Sequence, residues 1–443
     1  MQLLRCSALA VALLSEACVL AEPVPLRSAL QITEERAALD DPGVDWSDGL
    51  APDEAASLAV RHNPVLLAAR EARGEATAEQ QQAGLLANPV LGGDVAQPTS
   101  GPGVSELVLA YGLSLEIDTT SLVTRGARVD RARSQADAVD LGLAWQEWQI
   151  AQGARLEAVR LGRLRRRLVV ARAEIESLEG TTASLERAVA AGDATLQGLG
   201  VQRAALETAR QVRRGLETAE ADSQSTLLAA LGLPPETPIA IAAPATSAAE
   251  LVAAPSNEIL AACLANRLDL EALRRGYDAQ EAELRQAILQ QLPAVTVGLH
   301  SARDESQIRF LGGFVNATLP AFDRSQARIA LAEATRSRLA REFESRVLDA
   351  RRELAALTRA LSLGRQQLDE VDRALPELAK LEASERGAAN RGDVDRLSYQ
   401  TVRTSLFELR LLQETLAQAQ LETAIGLELA CGHPLARIAE AAR

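Results

Sequence analysis

Few side chains in this sequence suit acid–base, nucleophilic or metal chemistry, and those few are scattered. The cysteines are Cys6, Cys18, Cys263 and Cys431. The histidines are His62, His300 and His433. No Cys/His group has metal-ligand spacing, and the sequence has neither a Gly-rich phosphate loop nor a G-x-S-x-G elbow. It therefore predicts no enzyme activity, no bound cofactor and no metal site.

The composition narrows the class of partner. The 443 residues include 60 acidic and 47 basic side chains, for a net charge of −13. Nucleic-acid phosphates are held by cations, so we predict no nucleic-acid binding. Aromatic residues make up only 2 % of a chain rich in alanine, leucine, glutamate, arginine and glutamine. That mixture is typical of long helices and coiled coils.

The first 21 residues are interpreted as an export signal. Arg5 precedes a short apolar stretch, and Val19-Leu20-Ala21 offers small or modest residues at a cleavage site, which is typical of secretory signal peptides. A second interpretation places the cleavage before Cys18, which would then carry a lipid. The charged Glu16 fits the motif for lipidation poorly.

Two features of the chain after the signal bear on its location and its cysteines. No later segment supplies about 20 uninterrupted apolar residues, so no transmembrane helix is predicted. Removal of the signal leaves Cys263 and Cys431 as the mature cysteines in an oxidising compartment, where they could pair. Their spacing alone does not decide whether they do.

The chain contains two similar halves. The segment from Asn63 to Pro89 aligns without a gap with the segment from Arg267 to Pro293, at a constant offset of 204 residues. This internal similarity predicts a tandem duplication. The predicted order is a signal peptide (1–21), an N-terminal extension (22–55), a first repeat (56–232), a Pro/Ala-rich connector (233–257), a second repeat (258–430) and a C-terminal tail (431–443).

Each repeat is predicted to fold as helix, strand, strand, long helix and shorter helix. In residues 106–117 every second side chain is large and apolar, the alternation of a strand with two different faces. About twelve residues fit a tilted membrane-spanning strand. Residues 91–97, 295–299 and 308–319 supply the other strands. Four strands cannot close a barrel, so several chains would have to combine theirs; a soluble two-stranded ribbon in each half is the alternative.

Heptads run along the predicted long helices. Apolar residues from Leu164 to Val189, and again from Leu354 to Leu378, recur at alternating spacings of four and three, which predicts coiled-coil seams. The long helices are predicted at about 126–190 and 324–390, where a rise of about 1.5 Å per residue gives each roughly 100 Å. Shorter helices are predicted at about 55–88 and 195–231.

Two short motifs are predicted to mark the tips of the helical hairpins. Glycine supplies the left-handed conformation that ends a helix, and aspartate can cap the next one. The predicted tip residues are Gly192, Asp193, Gly392, Asp393, Asp395 and Arg396. They are either helix caps with solvated charge, or residues that ring an entrance and contact a partner.

Taken together, these features resemble the TolC-like outer membrane efflux protein family. The resemblance rests on the export signal, the two halves, Asn63-Pro64-x-Leu66, the alternating strands and the glycine tips. Residues 82–89 (QAGLLANP) and Ala190-Ala191-Gly192 are most similar to the heavy-metal, CzcC-like branch. Thr119-Thr120-Ser121 departs from that branch, which usually has a Gly-Gly turn there.

The resemblance implies a mainly α fold with a small β part. Three chains would form a homotrimer in which four strands from each close a twelve-stranded barrel in outer membrane lipid. Their coiled-coil helices would form an α-helical barrel across the periplasm of a Gram-negative bacterium. The tips would meet a periplasmic adaptor and, through it, an inner-membrane pump of the proton-driven RND type. The implied function is a passive exit duct for metal cations or small toxic compounds; a periplasmic coiled-coil scaffold or adaptor without a pore is the alternative.

Overall fold

The structure, a computed structural model, describes residues 23–37, 48–100, 107–242, 257–391 and 396–434. The predicted signal peptide, with Cys18, lies outside these residues. The chain forms two units, residues 1–41 and residues 42–443. In the first unit, helix α1 (Ala29–Ala37) follows Ser28. Ser28 and Gln31 exchange side-chain and backbone hydrogen bonds of 3.3 and 3.0 Å, which together form a capping box.

Residues 42–443 contain the same element order twice. The first copy consists of α2 (Pro52–His62), α3 (Pro64–Gly84), β1 (Val90–Ala96), β2 (Ala110–Asp118), α4 (Thr120–Ala191) and α5 (Leu196–Leu231). The second consists of α6 (Asn257–Asn266), α7 (Leu268–Leu289), β3 (Ala294–Arg303), β4 (Arg309–Thr318), α8 (Gln326–Arg391) and α9 (Arg396–Cys431). The limits of the repeats, at 56–232 and 258–430, stay a prediction.

The first helix predicted over residues 55–88 is two helices, so that prediction is wrong. Asn63 separates α2 from α3 with an extended ψ of 121°, because helical geometry is disfavoured directly before a proline such as Pro64. Its side chain then caps α3 by accepting hydrogen bonds of 3.0 and 3.1 Å from backbone N–H groups of the first turn. The second copy breaks at the corresponding residue, Arg267, which precedes α7.

The two long helices are confirmed. Helix α4 has 72 residues and α8 has 66, so at about 1.5 Å per residue each is about 100 Å long. Helix α4 begins sooner than residue 126, because Asp118 Oδ1 accepts a hydrogen bond from the Thr120 backbone N–H at 2.8 Å. No helix in the described parts of the chain combines the length and apolarity needed to cross a bilayer.

The long helices pack along the predicted heptad stripes. Residues Leu164, Leu168 and Ala171 of α4 form a buried cluster with residues from two other helices, namely Leu216 of α5 and Phe407 of α9. On α8, Leu354 and Leu361 pack with Leu427 of α9. Each long helix is thus held to the last helix of its own repeat, and α9 packs on both α8 and α4. The predicted coiled-coil seams are confirmed.

The strands of both copies form one antiparallel sheet in the order β1-β2-β3-β4. Strands β2 and β3 join the two copies, with Leu115 opposite Leu299. The strand predicted over residues 106–117 is shorter in the structure, since β2 has nine residues. Strands β3 and β4 have ten each. These lengths lie within the roughly 9–11 residues of a tilted membrane-spanning strand.

Candidate functional site

The sheet carries most of its large apolar side chains on one exposed face, which we call the apolar face. Directly opposite residues in the ladder lie on the same side, which places members from all four strands together. Its large members are Leu91, Val95, Tyr111, Leu113, Leu115, Ile117, Val297, Leu299, Leu311 and Val315. Each is at least 38 % exposed. Monomeric soluble proteins rarely expose so continuous an apolar patch, so this face marks a surface that a membrane or another protein covers.

The opposite face of the sheet carries mostly small and polar side chains. Its central residues are Gly112, Ser114, Glu116, Thr296, Gly298 and His300. A Cβ at Gly298 would lie 2.4 Å from the Phe314 ring and 2.9 Å from the Leu115 carbonyl oxygen, so a larger residue there would displace the ring and the neighbouring strand. The rings of Phe314 and His300 lie 6.3 Å apart on this face. A sheet with exposed apolar residues on one side and polar residues on the other matches the alternation of membrane-spanning strands.

Both edges of the sheet are open. Among the described residues, β1 pairs only with β2, and β4 pairs only with β3. On β4 the side chains of Leu311 and Val315 are 84 % and 68 % exposed. An open edge with apolar side chains is a template for pairing with a strand of another chain.

The tip between α4 and α5 is a glycine turn. Gly192 ends α4 at φ 84°, the left-handed conformation that favours glycine at this position. The prediction that Asp193 caps the next helix is wrong, because α5 begins at Leu196 and Thr195 is its cap. The Thr195 hydroxyl oxygen accepts a hydrogen bond from the Gly198 backbone N–H at 3.2 Å, and an N-cap must directly precede the first helical residue.

The second tip is described only in part. Gly392, Asp393 and Asp395 lie outside the described residues, and so does the side chain of Arg396, the first residue of α9. At the first tip, Gly192 and Asp193 are both exposed, and the neighbouring Leu196 is 76 % exposed. The contact of these residues with a partner stays a prediction.

Five polar side chains connect three helices near the junction of α8 and α9, and we call them the polar latch. They are Glu174 of α4, Glu382 and Arg386 of α8, and Tyr399 and Arg403 of α9. Arg403 Nε donates to Glu174 Oε1 at 3.1 Å. Glu382 accepts from Arg386 Nη2 at 2.6 Å and from the Tyr399 hydroxyl at 3.0 Å. Removing one partner of a buried charge is costly, so the latch favours one arrangement of the three helices.

Burial controls the protonation of the latch. Burial raises the pKa of Glu174, and the nearby charge of Glu382 raises it further, although Arg403 opposes both effects. Burial also raises the pKa of the Tyr399 phenol, and its hydrogen bond to Glu382 acts in the same direction. The phenol therefore remains a hydrogen-bond donor at neutral pH.

Each repeat ties its N-terminal helices to the end of its last helix. In the first repeat, Asn63 Nδ2 donates to the carbonyl oxygen of Ala230 at 2.8 Å. In the second, Arg267 Nη1 donates to the carbonyl oxygen of Ala430 at 3.0 Å. These residues occupy corresponding positions in the two repeats, so one structural role is filled by an amide in one copy and a guanidinium in the other.

Arg267 is buried, with a side chain only 1 % exposed. Its Nε and Nη2 donate to the two carboxylate oxygens of Asp269 at 3.0 and 2.9 Å. Asp269 also accepts from Arg346 Nε at 2.8 Å, and the guanidinium lies over the Trp145 ring at 4.9 Å. Burial acts to raise the pKa of Asp269, but the hydrogen bonds and charges of Arg267 and Arg346 outweigh it and lower the pKa.

Cys263 and Cys431 form a disulfide that joins α6 to the end of α9. The sequence left this pairing open, because 168 residues separate the two cysteines. The corresponding positions of the first repeat are Ala59 and Leu231, which are both fully buried. The disulfide therefore takes the place of apolar side chains at the same joint of the fold.

The described residues contain no cluster of three or more His, Cys, Asp or Glu side chains that could hold a metal ion. An open groove of about 380 Å³ lies between α4, α5 and α9, and its lining includes Glu157, Arg160, Arg167 and Gln418. Burial lowers the pKa of Arg167. His62 ends α2, His300 lies in β3, and His433 follows α9. These positions bring no nucleophile and base together.

The sequence interpretation missed the latch and the Arg267–Asp269 pair. The two residues of the Arg403–Glu174 pair are 229 positions apart, and charged residues are too common in this chain to be paired by type alone. The second pair had a visible signal. Arg267-Leu268-Asp269 begins a helix at the position where the first repeat has the capping Asn63, and a large cation there requires a nearby acid.

No protein-family profile and no curated protein matches this chain. Solved structures do match it, at low sequence identity. A membrane protein from Pseudomonas aeruginosa has a TM-score of 0.72 at 17 % identity, over 94 % of this chain and 99 % of that one. CusC, studied for its transmembrane channel formation, has a TM-score of 0.70 at 18 % identity, over 94 % and 100 %. The CmeC outer membrane channel of Campylobacter jejuni has a TM-score of 0.71 at 13 % identity, over 94 % of both chains.

At these identities the likeness establishes the fold. The predicted fold, mainly helical with a small antiparallel sheet, is therefore confirmed. The solved structures that share it are described as channels or membrane proteins, and none of those three is described as an enzyme.

Proposed function

We propose that this protein is the outer membrane channel of an efflux system, of the TolC-like kind that its sequence resembles. The apolar face of the sheet carries the proposal, because a sheet with exposed large apolar residues on one side and mostly small and polar residues on the other has the alternation of membrane-spanning strands. The shared fold with outer membrane channels supports the same function. In this proposal the chain performs no chemistry and provides a passive route through the outer membrane.

The open edges of the sheet support a trimer. Four strands are too few to close a barrel, whereas three chains would pair β1 of one with β4 of the next and contribute twelve strands. The apolar faces would then meet lipid, and the faces with Ser114, Glu116 and His300 would line the pore. The long helices α4 and α8, each about 100 Å long by the usual rise per residue, would continue the duct through the periplasm together with the shorter helices packed on them.

The hairpin tips are the proposed contact with partners. Residues Gly192, Asp193, Gly392, Asp393, Asp395 and Arg396 would meet a periplasmic adaptor that couples the channel to a proton-driven RND pump. The polar latch lies beside the second of these tips, on α8 and α9. We propose that it holds the helices of the closed channel and that opening separates its members.

The proposed cargo is metal cations or small toxic compounds. The support for metal cations is the sequence likeness of residues 82–89 to the CzcC-like branch. In this proposal the cargo passes through the duct as a solute. A strain that lacks the gene is tested for sensitivity to cobalt, zinc, copper and organic toxins. The cargo class is the one to which the strain becomes sensitive and to which the reintroduced gene restores resistance.

Conductance across planar bilayers tests the channel proposal. The detergent-extracted protein should give discrete current steps, and the Glu174→Gln/Glu382→Gln variant should give larger or more frequent ones, because the latch loses both carboxylates. The Glu186→Gln variant, which breaks an exposed pair with Arg203, is the matched control. If neither the inserted wild-type protein nor the latch variant carries current, the channel is rejected and the scaffold without a pore is favoured.

A further inference from the structure

Two arginines lie side by side at one end of the apolar face. Arg303 is the last residue of β3 and Arg309 the first of β4, and they are direct cross-strand partners. Tyr111 is the partner of Arg303 on β2, so all three lie on the same face of the sheet. Strand β3 follows α7 and β4 leads to α8. The pair therefore occupies the end of the sheet away from the helices.

These arginines repel each other and have no acidic partner in the parts of the chain that the structure describes. Like charges directly opposite on neighbouring strands are destabilising. Asp304 lies beside Arg303 in sequence, but its Oδ1 accepts a hydrogen bond from the Ile308 backbone N–H at 2.8 Å and holds the turn. Glu305 forms no ion pair with either arginine. An anion from outside the chain would relieve the repulsion.

We propose that Arg303 and Arg309 bind the phosphate of an anionic lipid headgroup at the rim of the sheet. This inference rests on the proposed function, because a bilayer must cover the apolar face. Guanidinium groups offer paired N–H donors that match a phosphate. Tyr111 suits the same membrane–water boundary. Tyrosine is enriched there because its ring can contact apolar groups while its hydroxyl contacts water. Leu311, the next residue on this face of β4, would contact the acyl chains.

The site should bind a lipid more tightly than free phosphate because it combines two charged side chains with an apolar surface. The arginines provide charge, and the apolar face beside them provides a surface that only an acylated molecule can use. Each basic residue near an anionic lipid surface contributes enough to weaken binding by roughly fivefold when it is lost. Inorganic phosphate, which has no acyl chains, should therefore bind far more weakly than the lipid.

Native mass spectrometry of the detergent-extracted full-length protein tests the site. The probe is diphosphorylated lipid A, compared with the same lipid after removal of its phosphates. Wild-type protein should retain the phosphorylated form, and Arg303→Gln/Arg309→Gln should bind it at least tenfold more weakly. The control, Arg338→Gln/Arg341→Gln, removes two arginines from the exposed surface of α8 and should bind as wild type does.

Three results would overturn the site. They are equal retention of the two lipids by wild-type protein, equal retention by the Arg303/Arg309 double variant, and equal binding of inorganic phosphate. The comparison of two lipids on wild-type protein still decides if the double variant does not fold. A protein that is not found in the outer membrane would reject the proposed function itself, whereas an outer membrane protein that binds both lipids equally would reject only the site.

Discussion

Arg267 donates a hydrogen bond from Nη1 to the carbonyl oxygen of Ala430 at 3.0 Å. The bond joins the start of the second repeat to its last helix, as Asn63 and Ala230 join the first. Gly232 and Gly432 follow those last helices at φ 68° and 74°. The two repeats therefore share this contact between helices, although different side chains make it.

The Asp269→Asn variant tests the buried pair at this joint. It removes the bidentate carboxylate of the buried Arg267 guanidinium and leaves, among the described residues, only the half-exposed Glu353 as an acidic partner, at 3.3 Å. The loss of folding free energy should therefore approach the roughly 3–5 kcal/mol that is typical of breaking a buried pair. Thermal unfolding followed by helical circular dichroism measures the loss. Asp140→Asn removes the acid of an exposed pair with Arg73 and should cost at most about 1 kcal/mol. Equal losses in the two variants would contradict a structural role for Arg267.

The same pair predicts a pH dependence. The pKa of Asp269 is lowered in the folded protein from its usual 3.8, so its contribution to stability is fully present above that value and is lost as the pH falls through the lowered pKa. The difference in melting temperature between wild type and Asp269→Asn should therefore be constant near neutral pH and shrink below pH 3.8. An unchanged difference between pH 7 and pH 3 would show that the charge does not matter.

Gly232→Ala should destabilise the first repeat. Gly232 ends α5 at φ 68°, and a Cβ there would lie 2.6 Å from the carbonyl oxygen of His62. Left-handed geometry costs a residue with a Cβ about 1–2 kcal/mol, and relief of the contact would shift α2. The control Gly180→Ala, on an open helical surface, should instead stabilise by about 0.5–1 kcal/mol. Melting temperatures that move in the same direction would contradict this account.

Leu115→Arg and Ser114→Arg distinguish the two faces of the sheet. Leu115 lies on the apolar face and Ser114 on the opposite one. If lipid covers the apolar face, arginine at position 115 costs about 2–4 kcal/mol near the bilayer centre, whereas position 114 faces water. The amount of folded protein in the outer membrane should fall for the first variant and stay near wild type for the second. The reverse order would place lipid on the other face.

Much of the fold could be predicted because its signals are periodic and local. The heptads from Leu164 and from Leu354 and the alternation from Leu107 to Ile117 each report a buried stripe or a two-faced strand without any knowledge of partners. The break at Asn63 was missed although Asn-Pro is itself a helix-start signal.

The site was less accessible to sequence reasoning because its contacts are distant in the chain. Pairs such as Glu174 with Arg403, or Cys263 with Cys431, meet only once α9 has packed against both α4 and α6. Composition cannot choose one glutamate among many as the partner of one arginine. The tip glycine at position 192 is the exception, since its left-handed conformation is required locally.

Membrane fractionation followed by cross-linking tests whether this protein is a trimer in the outer membrane. Cells that produce the full chain are broken, outer and inner membranes are separated, and the extracted protein is cross-linked and run unheated on a gel. We expect a protein in the outer membrane that migrates as a trimer of the mature chain before heating and as a monomer after it. A monomer or dimer that stays in solution after cell breakage would contradict the channel and leave the apolar face as a protein-binding surface.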